Sequence, residues 1–236
     1  MQFRLFFFYV SVVGIGACTS PSTNEQAEKL ALSAVDSAIQ VVKTEPIIPP
    51  QNDVTTPQKP IVQLTKNDAK IAFAKGREQE GAENYAKAVL YYTQAIVADS
   101  TFADAYFQLG LVNGALDNHT QAIAAYQKAI TYKYVAVATC YANLGYQQLA
   151  IKKYNQARKN FQQALASTED AETYAGLAIA CYYLNDLGDA QQAYQKAAQF
   201  DADFLKEDVT NTVSLKYLFT EADMIALTEL SKKNKK

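Results

Sequence analysis

The residue types that carry chemistry are few in this chain, and their spacing assembles no reactive site. His119 is the one histidine, held in a turn between Asn118 and Thr120. Any site built on two imidazole ligands is therefore excluded, and a conventional zinc hydrolase is not expected. A lone histidine in a turn is expected to be solvated. Cys140 and Cys181 could pair in an oxidising compartment. They fall at different places in their helices, however, and are expected to be two small buried hydrophobes. Acidic neighbours such as Glu169 and Asp170 lie in turns with no second group to shift them. No glycine-rich phosphate loop and no GxSxG element occurs. No enzyme, metal or cofactor is expected from this inventory. What remains is an unusual supply of aromatic side chains, 16 Tyr and 11 Phe without a single Trp, and these suit packing and binding.

Most of the tyrosines fall within a pattern that repeats four times. Ala88, Tyr92 and Ala95 are followed by Ala122, Tyr126 and Ala129, then Ala157, Phe161 and Ala164, then Ala190, Tyr194 and Ala197. The leading alanines are 34, 35 and 33 residues apart. Residues at i, i+4 and i+7 share one face of a helix. Upstream of each later copy stands a second phrase: Tyr106, Leu109, Gly110; Tyr141, Leu144, Gly145; Tyr174, Leu177, Ala178. The first copy is weaker there, with Ala72, Lys75 and Gly76. Each unit thus predicts two amphipathic helices. The distance from Leu109, Leu144 or Leu177 to the following Ala122, Ala157 or Ala190 is 13 residues in every case, while the joints between units vary. Gly110 and Gly145 are expected to let the second helix approach the first, with its aromatic ring filling the space between.

A period near 34 with this pattern resembles the tetratricopeptide repeat (TPR) family, in which helix pairs stack into a solenoid. The resemblance covers residues 69 to about 202 and implies an all-α fold of about four repeats. The proline usual near the end of each repeat is missing; Ser100, Tyr134, Ala171 and Ala202 stand there. The family lines its concave face with the first helix of each pair. Carried over by position, that face comprises Lys70, Phe73, Arg77 and Glu80 in the first pair, and Asp104, Phe107, Leu111 and Gly114 in the second. In the third it comprises Thr139, Ala142, Tyr146 and Leu149, and in the fourth Glu172, Ala175, Ile179 and Tyr182, with Tyr183 as a rim. Some members clamp a terminal carboxylate with Lys and Asn. Here Phe73, Arg77 and Thr139 occupy those places, so that clamp is not expected. The groove is instead apolar and aromatic, suited to an amphipathic helix or an extended apolar segment. Closure of the groove by residues 203–236 or 25–42 is the alternative, in which case these residues are core.

The ends of the chain differ in character. Residues 1–17 hold a single Arg4 and an apolar run from Leu5 to Ala17, too short for a resident membrane helix, which needs about 20 residues, and predicted to be a secretory signal. Its end, Ile15-Gly16-Ala17-Cys18, resembles the lipobox of bacterial lipoproteins. That resemblance implies cleavage before Cys18 and acylation of its thiol, a palmitate-type anchor; an ordinary signal with an incidental cysteine is the alternative. Two or three chains hold a protein stably where one does not. The sorting rule known for some lipoproteins retains those with aspartate after the cysteine in the inner membrane. Thr19 stands there, which implies the outer membrane of a cell envelope that has both.

All six prolines precede residue 61, so residues 18–60 are predicted to be a disordered tether, 61–202 the solenoid, and 203–236 a capping segment with a basic tail. Thr65 to Asp68 and Thr220 to Asp223 are predicted helix starts, the latter for an end-capping helix through Leu230. The net charge of −2 and the lack of a basic stripe exclude a nucleic-acid partner. The chain as a whole reads as an envelope lipoprotein that scaffolds a protein partner. The alternatives are glycan or small-ligand binding in the aromatic groove, or self-association.

Overall fold

The computed structural model describes residues 64–206, 213 and 219–234. Cys18, the signal segment and the tether lie outside the described residues. The described residues divide into two compact units between Ser100 and Thr101. The first holds α1 (Lys66–Gly81) and α2 (Tyr85–Ala98). The second holds α3 (Ala103–Ala115), α4 (His119–Thr131), α5 (Val137–Ala150), α6 (Tyr154–Leu165), α7 (Ala171–Tyr183), α8 (Leu187–Phe200), a 3-10 turn (Ala202–Leu205) and α9 (Glu221–Asn234). Within this unit the pairs α3–α4, α5–α6 and α7–α8 pack internally, and α4 on α5 and α6 on α7 join successive pairs.

Every pair uses one turn. Glu83, Asp117, Lys152 and Asn185 adopt left-handed backbone, with φ of 59°, 56°, 59° and 60°. They recur at the spacing of the alanines. The next residue then sends its N–H five residues back: Asn84 to Gln79 at 2.8 Å, Asn118 to Asn113 at 2.9 Å, Lys153 to Gln148 at 2.8 Å, Asp186 to Cys181 at 3.0 Å. This is a Schellman closure, which satisfies carbonyls at the end of the first helix. The same residue starts the next helix. The constant 13-residue spacing is therefore one backbone turn used four times. The joints do not share it: α4 ends on a fifth left-handed residue, Lys133 (φ 60°), whereas α2 ends on extended Asp99 (φ −141°).

The glycines work as the spacing predicts, including in the weak first copy. A Cβ on Gly76 would lie 2.5 Å from the Tyr92 ring, on Gly110 2.6 Å from Tyr126, and on Gly145 2.8 Å from Phe161. Phe161 is pinched from both sides, because a Cβ on Gly176 of α7 would also lie 2.6 Å from it. Tyr92, Tyr126, Phe161 and Tyr194 are fully buried. In the last pair Ala178 replaces glycine. There Tyr194 meets Phe204 of the 3-10 turn edge-on at 5.9 Å, and its hydroxyl donates to the Phe204 carbonyl.

Both predicted helix starts are present. Thr65 and Asp68 form a reciprocal capping box on α1. On α9 the Asp223 backbone N–H donates to Thr220 Oγ1 at 3.2 Å, and the Thr220 N–H to the Asp223 carboxylate at 3.0 Å. Helix α9 packs on α7 and α8, adding Met224, Leu227 and Leu230 to the core that holds Ile179. It caps the stack as expected and runs on to Asn234.

Candidate partner-binding groove

The inner helices of the second unit bound an open cleft of about 600 Å³. Gly114 at the end of α3, Thr139, Ala142 and Tyr146 of α5, and Glu172 and Tyr183 of α7 form its floor and sides. The remaining wall is Phe219 to Asp223, the lead-in to α9. The lead-in to α9 thus builds part of the groove.

Tyrosines set this geometry. The Tyr146 ring stands edge-on to Phe161 at 4.9 Å and lies 6.3 Å from Phe219, while its hydroxyl donates to the Glu172 carbonyl at 2.5 Å. The unpaired carbonyls of a helix lie in its last turn, so the Glu172 carbonyl in the first turn of α7 takes the Tyr146 hydroxyl as an extra donor from the side, and this bond ties α5 to α7. Tyr183 stacks on Tyr154 at 4.7 Å and donates to the Ala222 carbonyl at 2.8 Å. His119 is the first residue of α4 rather than a free turn residue, and its Nδ1 is hydrogen-bonded to Gln147 Oε1 at 2.8 Å. It is half-buried and lines the cleft. The expectation of a solvated histidine fails because Gln147, one pair further on, reaches it.

The cleft is acidic. Glu172 faces its solvent yet stands between its walls; that crowding, and then the charge of Asp170, pushes its carboxyl up to about 7. Among the described residues its carboxylate makes no hydrogen bond or ion pair, in contrast to Asp170, which accepts from the Thr173 N–H at 2.7 Å and caps α7. Burial also raises Asp223, against the opposing bonds from Thr220. Glu169 accepts from the Tyr174 hydroxyl, so this turn is more structured than its sequence suggested. Cys140 and Cys181 are free and buried, with burial pushing their thiols up to about 12 and about 11; they are packing residues. Among the described residues no cluster of three or more His, Cys, Asp or Glu could hold a metal ion, and no helix is long and apolar enough to cross a membrane.

The positions carried over from the family separate on inspection. In the first unit Lys70 and Arg77 are exposed, and Phe73 packs on Tyr92 at 5.6 Å. In the second unit Asp104 is exposed. Phe107 and Leu111 are only 5% and 6% exposed, Phe107 being stacked on Tyr134 at 4.3 Å, and Ile179 is fully buried. These three are packed into the core; Phe107 and Leu111 are buried among Tyr126, Cys140, Leu144 and Tyr134, not by the segments 203–236 or 25–42 whose closure was the alternative. Tyr182 is turned edge-on to Tyr183 at 5.6 Å, and Tyr183 rather than Tyr182 lines the cleft. Tyr146 is both an expected site residue and a lining residue. Phe219 and Asp223 were not foreseen, since only long-range packing of α9 brings them here. The helix-start signal at Thr220 was the one available hint.

Residues 103–135 match the family model described as tetratricopeptide repeat. No curated protein matches the chain. Among solved structures it is similar to MamA, residues 41 to the end, from Desulfovibrio magneticus RS-1, with a TM-score of 0.56 at 17% identity over 72% of this chain and 98% of that one. A second MamA crystal structure gives a TM-score of 0.56 at 19% identity over 72% and 94%. YrrB, described as a TPR protein with an unusual peptide-binding site, gives 0.55 at 18% identity over 72% and 93%. At these identities the likeness concerns the fold. The chain has an all-α, TPR-like fold of about four helix pairs with a C-terminal capping helix.

Proposed function

We propose that this protein is a lipid-anchored interaction scaffold of a bacterial envelope, which holds a segment of a partner protein in the cleft around Tyr146. The observation that carries this reading is the cleft itself, about 600 Å³ of open volume between three inner helices and the start of α9. Volumes of this size take several side chains of a bound segment. That YrrB is described as having a peptide-binding site supports the same use of the fold. The reading assigns no catalytic step to the chain.

Cys18 supplies the anchor in this proposal, through the Ile15-Gly16-Ala17-Cys18 sequence, with the outer membrane preferred where the host has two. The Pro-rich stretch to residue 60 holds the helical part away from the bilayer, by about 3 Å per residue where it is extended. The test has two arms. Metabolic labelling with an alkyne fatty acid should mark the wild-type chain and not Cys18→Ala. Co-purification from envelope membranes should return a protein partner that Tyr146→Ala loses. Unchanged recovery with Tyr146→Ala, or retention on a glycan matrix alone, would contradict the scaffold reading; recovery of the chain itself only would mean self-association.

A further inference from the structure

The cleft has a charge as well as a shape. Four carboxylate residues line it, Asp117, Asp170, Glu172 and Asp223, against one lysine, Lys152. They are not equivalent. The Asp170 carboxylate accepts from the Thr173 N–H at the start of α7, and the Asp223 carboxylate accepts from the Thr220 N–H and hydroxyl at the start of α9. Of these last three, Glu172 is the one whose carboxylate has no donor among the described residues, and it stands beside the Tyr146 hydroxyl contact at the head of α7. Glu172 reaches the solvent of the cleft, but the walls around it and the nearby charge of Asp170 both disfavour the bare anion. A cation brought to it would relieve both costs. The surrounding rings are suited to the same guest: Tyr146 and Phe219 line one side and Tyr183 another, and guanidinium or ammonium groups bind aromatic faces.

We propose that the guest of this cleft is a segment bearing a Lys or Arg side chain, which pairs with Glu172 between the Tyr146 and Tyr183 walls. The proposal rests on the cleft being the partner site and adds the sign of the partner's charge. It is the opposite sign to a carboxylate-clamping groove. Charge complementarity selects the occupant: an apolar segment would leave Glu172 unpaired in a drier cleft, and an acidic one would add a third negative charge beside Asp170.

Three pooled libraries of ten-residue peptides, alike except for a central Arg, Gln or Glu, test this by fluorescence anisotropy against the full chain in detergent. Binding of the Arg pool at least tenfold tighter than the Gln pool is expected, with that preference lost in Glu172→Gln and reversed toward the Glu pool in Glu172→Lys. Circular dichroism melting checks that each variant is folded, and Glu172→Asp should restore part of the preference. Equal binding of all three pools that Tyr146→Ala abolishes would overturn the charge assignment and leave the cleft as the partner site. Binding that ignores Tyr146→Ala, or no binding by any pool, would overturn both. Arg-pool binding that appears only after removal of residues 231–236 would make the chain's own basic end the occupant and overturn the proposal of a partner.

Discussion

The Tyr183 hydroxyl donates to the Ala222 carbonyl across a gap of 39 residues in sequence, at 2.8 Å, and so fixes the start of α9 to the end of α7. The bond forms where the C-terminal segment becomes a wall of the cleft. Tyr183→Phe keeps the ring stacked on Tyr154 and removes only the donor. A loss of about 0.5–1.5 kcal/mol is expected, together with faster amide exchange in the first turn of α9. Unchanged exchange there would mean that apolar packing of Met224 and Leu227 alone holds the helix.

Two glycines should respond with opposite signs. Gly110→Ala drives a Cβ to 2.6 Å from the fully buried Tyr126 ring, which has no room to move, and a destabilisation of about 1–3 kcal/mol is expected. Gly188, in the first turn of α8, has nothing within 4 Å of an added Cβ. Gly188→Ala is expected to stabilise by about 0.5–1 kcal/mol through reduced freedom of the unfolded chain. Chemical denaturation of both variants checks the pair.

The four left-handed turn residues differ in how well they suit that conformation. Asn and Asp tolerate it, whereas Glu83 and Lys152 carry long side chains without that advantage. Lys152→Asn and Glu83→Asn are each expected to raise stability by about 0.5–1 kcal/mol, seen as a higher Tm, while Asp117→Asn should change little.

Glu172 sets a pH dependence whose sign follows from its raised carboxyl. Between its ordinary 4.5 and about 7 the folded chain keeps a proton that the unfolded chain has released. Stability from this group is therefore full at low pH and is lost as pH rises through about 7. Asp223, also raised, acts in the same direction from a lower starting point. Thermal melts at pH 5 and pH 8 should show a smaller difference for Glu172→Gln than for the wild type. Equal differences would show that the crowding around Glu172 does not reach its carboxylate.

Much of this architecture was legible in the alanine, aromatic and glycine register, because each of those residues is buried at one inter-helix contact and tolerates few replacements. Gly76 shows the strength of that signal: it identifies the first pair although Lys75 and Ala72 replace the usual Leu and Tyr. The turns were half visible. Asp117-Asn118 and Asn185 announce themselves, but Glu83 and Lys152 take the same backbone through hydrogen bonds that residue type does not reveal. The groove was the least legible part. Position within a repeat picks out Tyr146 and Glu172, but it cannot tell that Phe107 is covered by Tyr134 or that Ile179 is covered by α9. Nor can it bring Phe219 and Asp223 from the far end of the chain. Those outcomes depend on contacts made across successive pairs, where the sequence has no fixed spacing.

The central claim is that the cleft around Tyr146 holds a partner protein. Thr139 lines it and is not packed into the core, so a photo-reactive amino acid at that position, in the full chain in its native host, reports the occupant directly. The account predicts a crosslink to a defined segment of another envelope protein, lost when Tyr146→Ala is added. Crosslinks confined to the chain's own residues, unchanged by Tyr146→Ala, would contradict it.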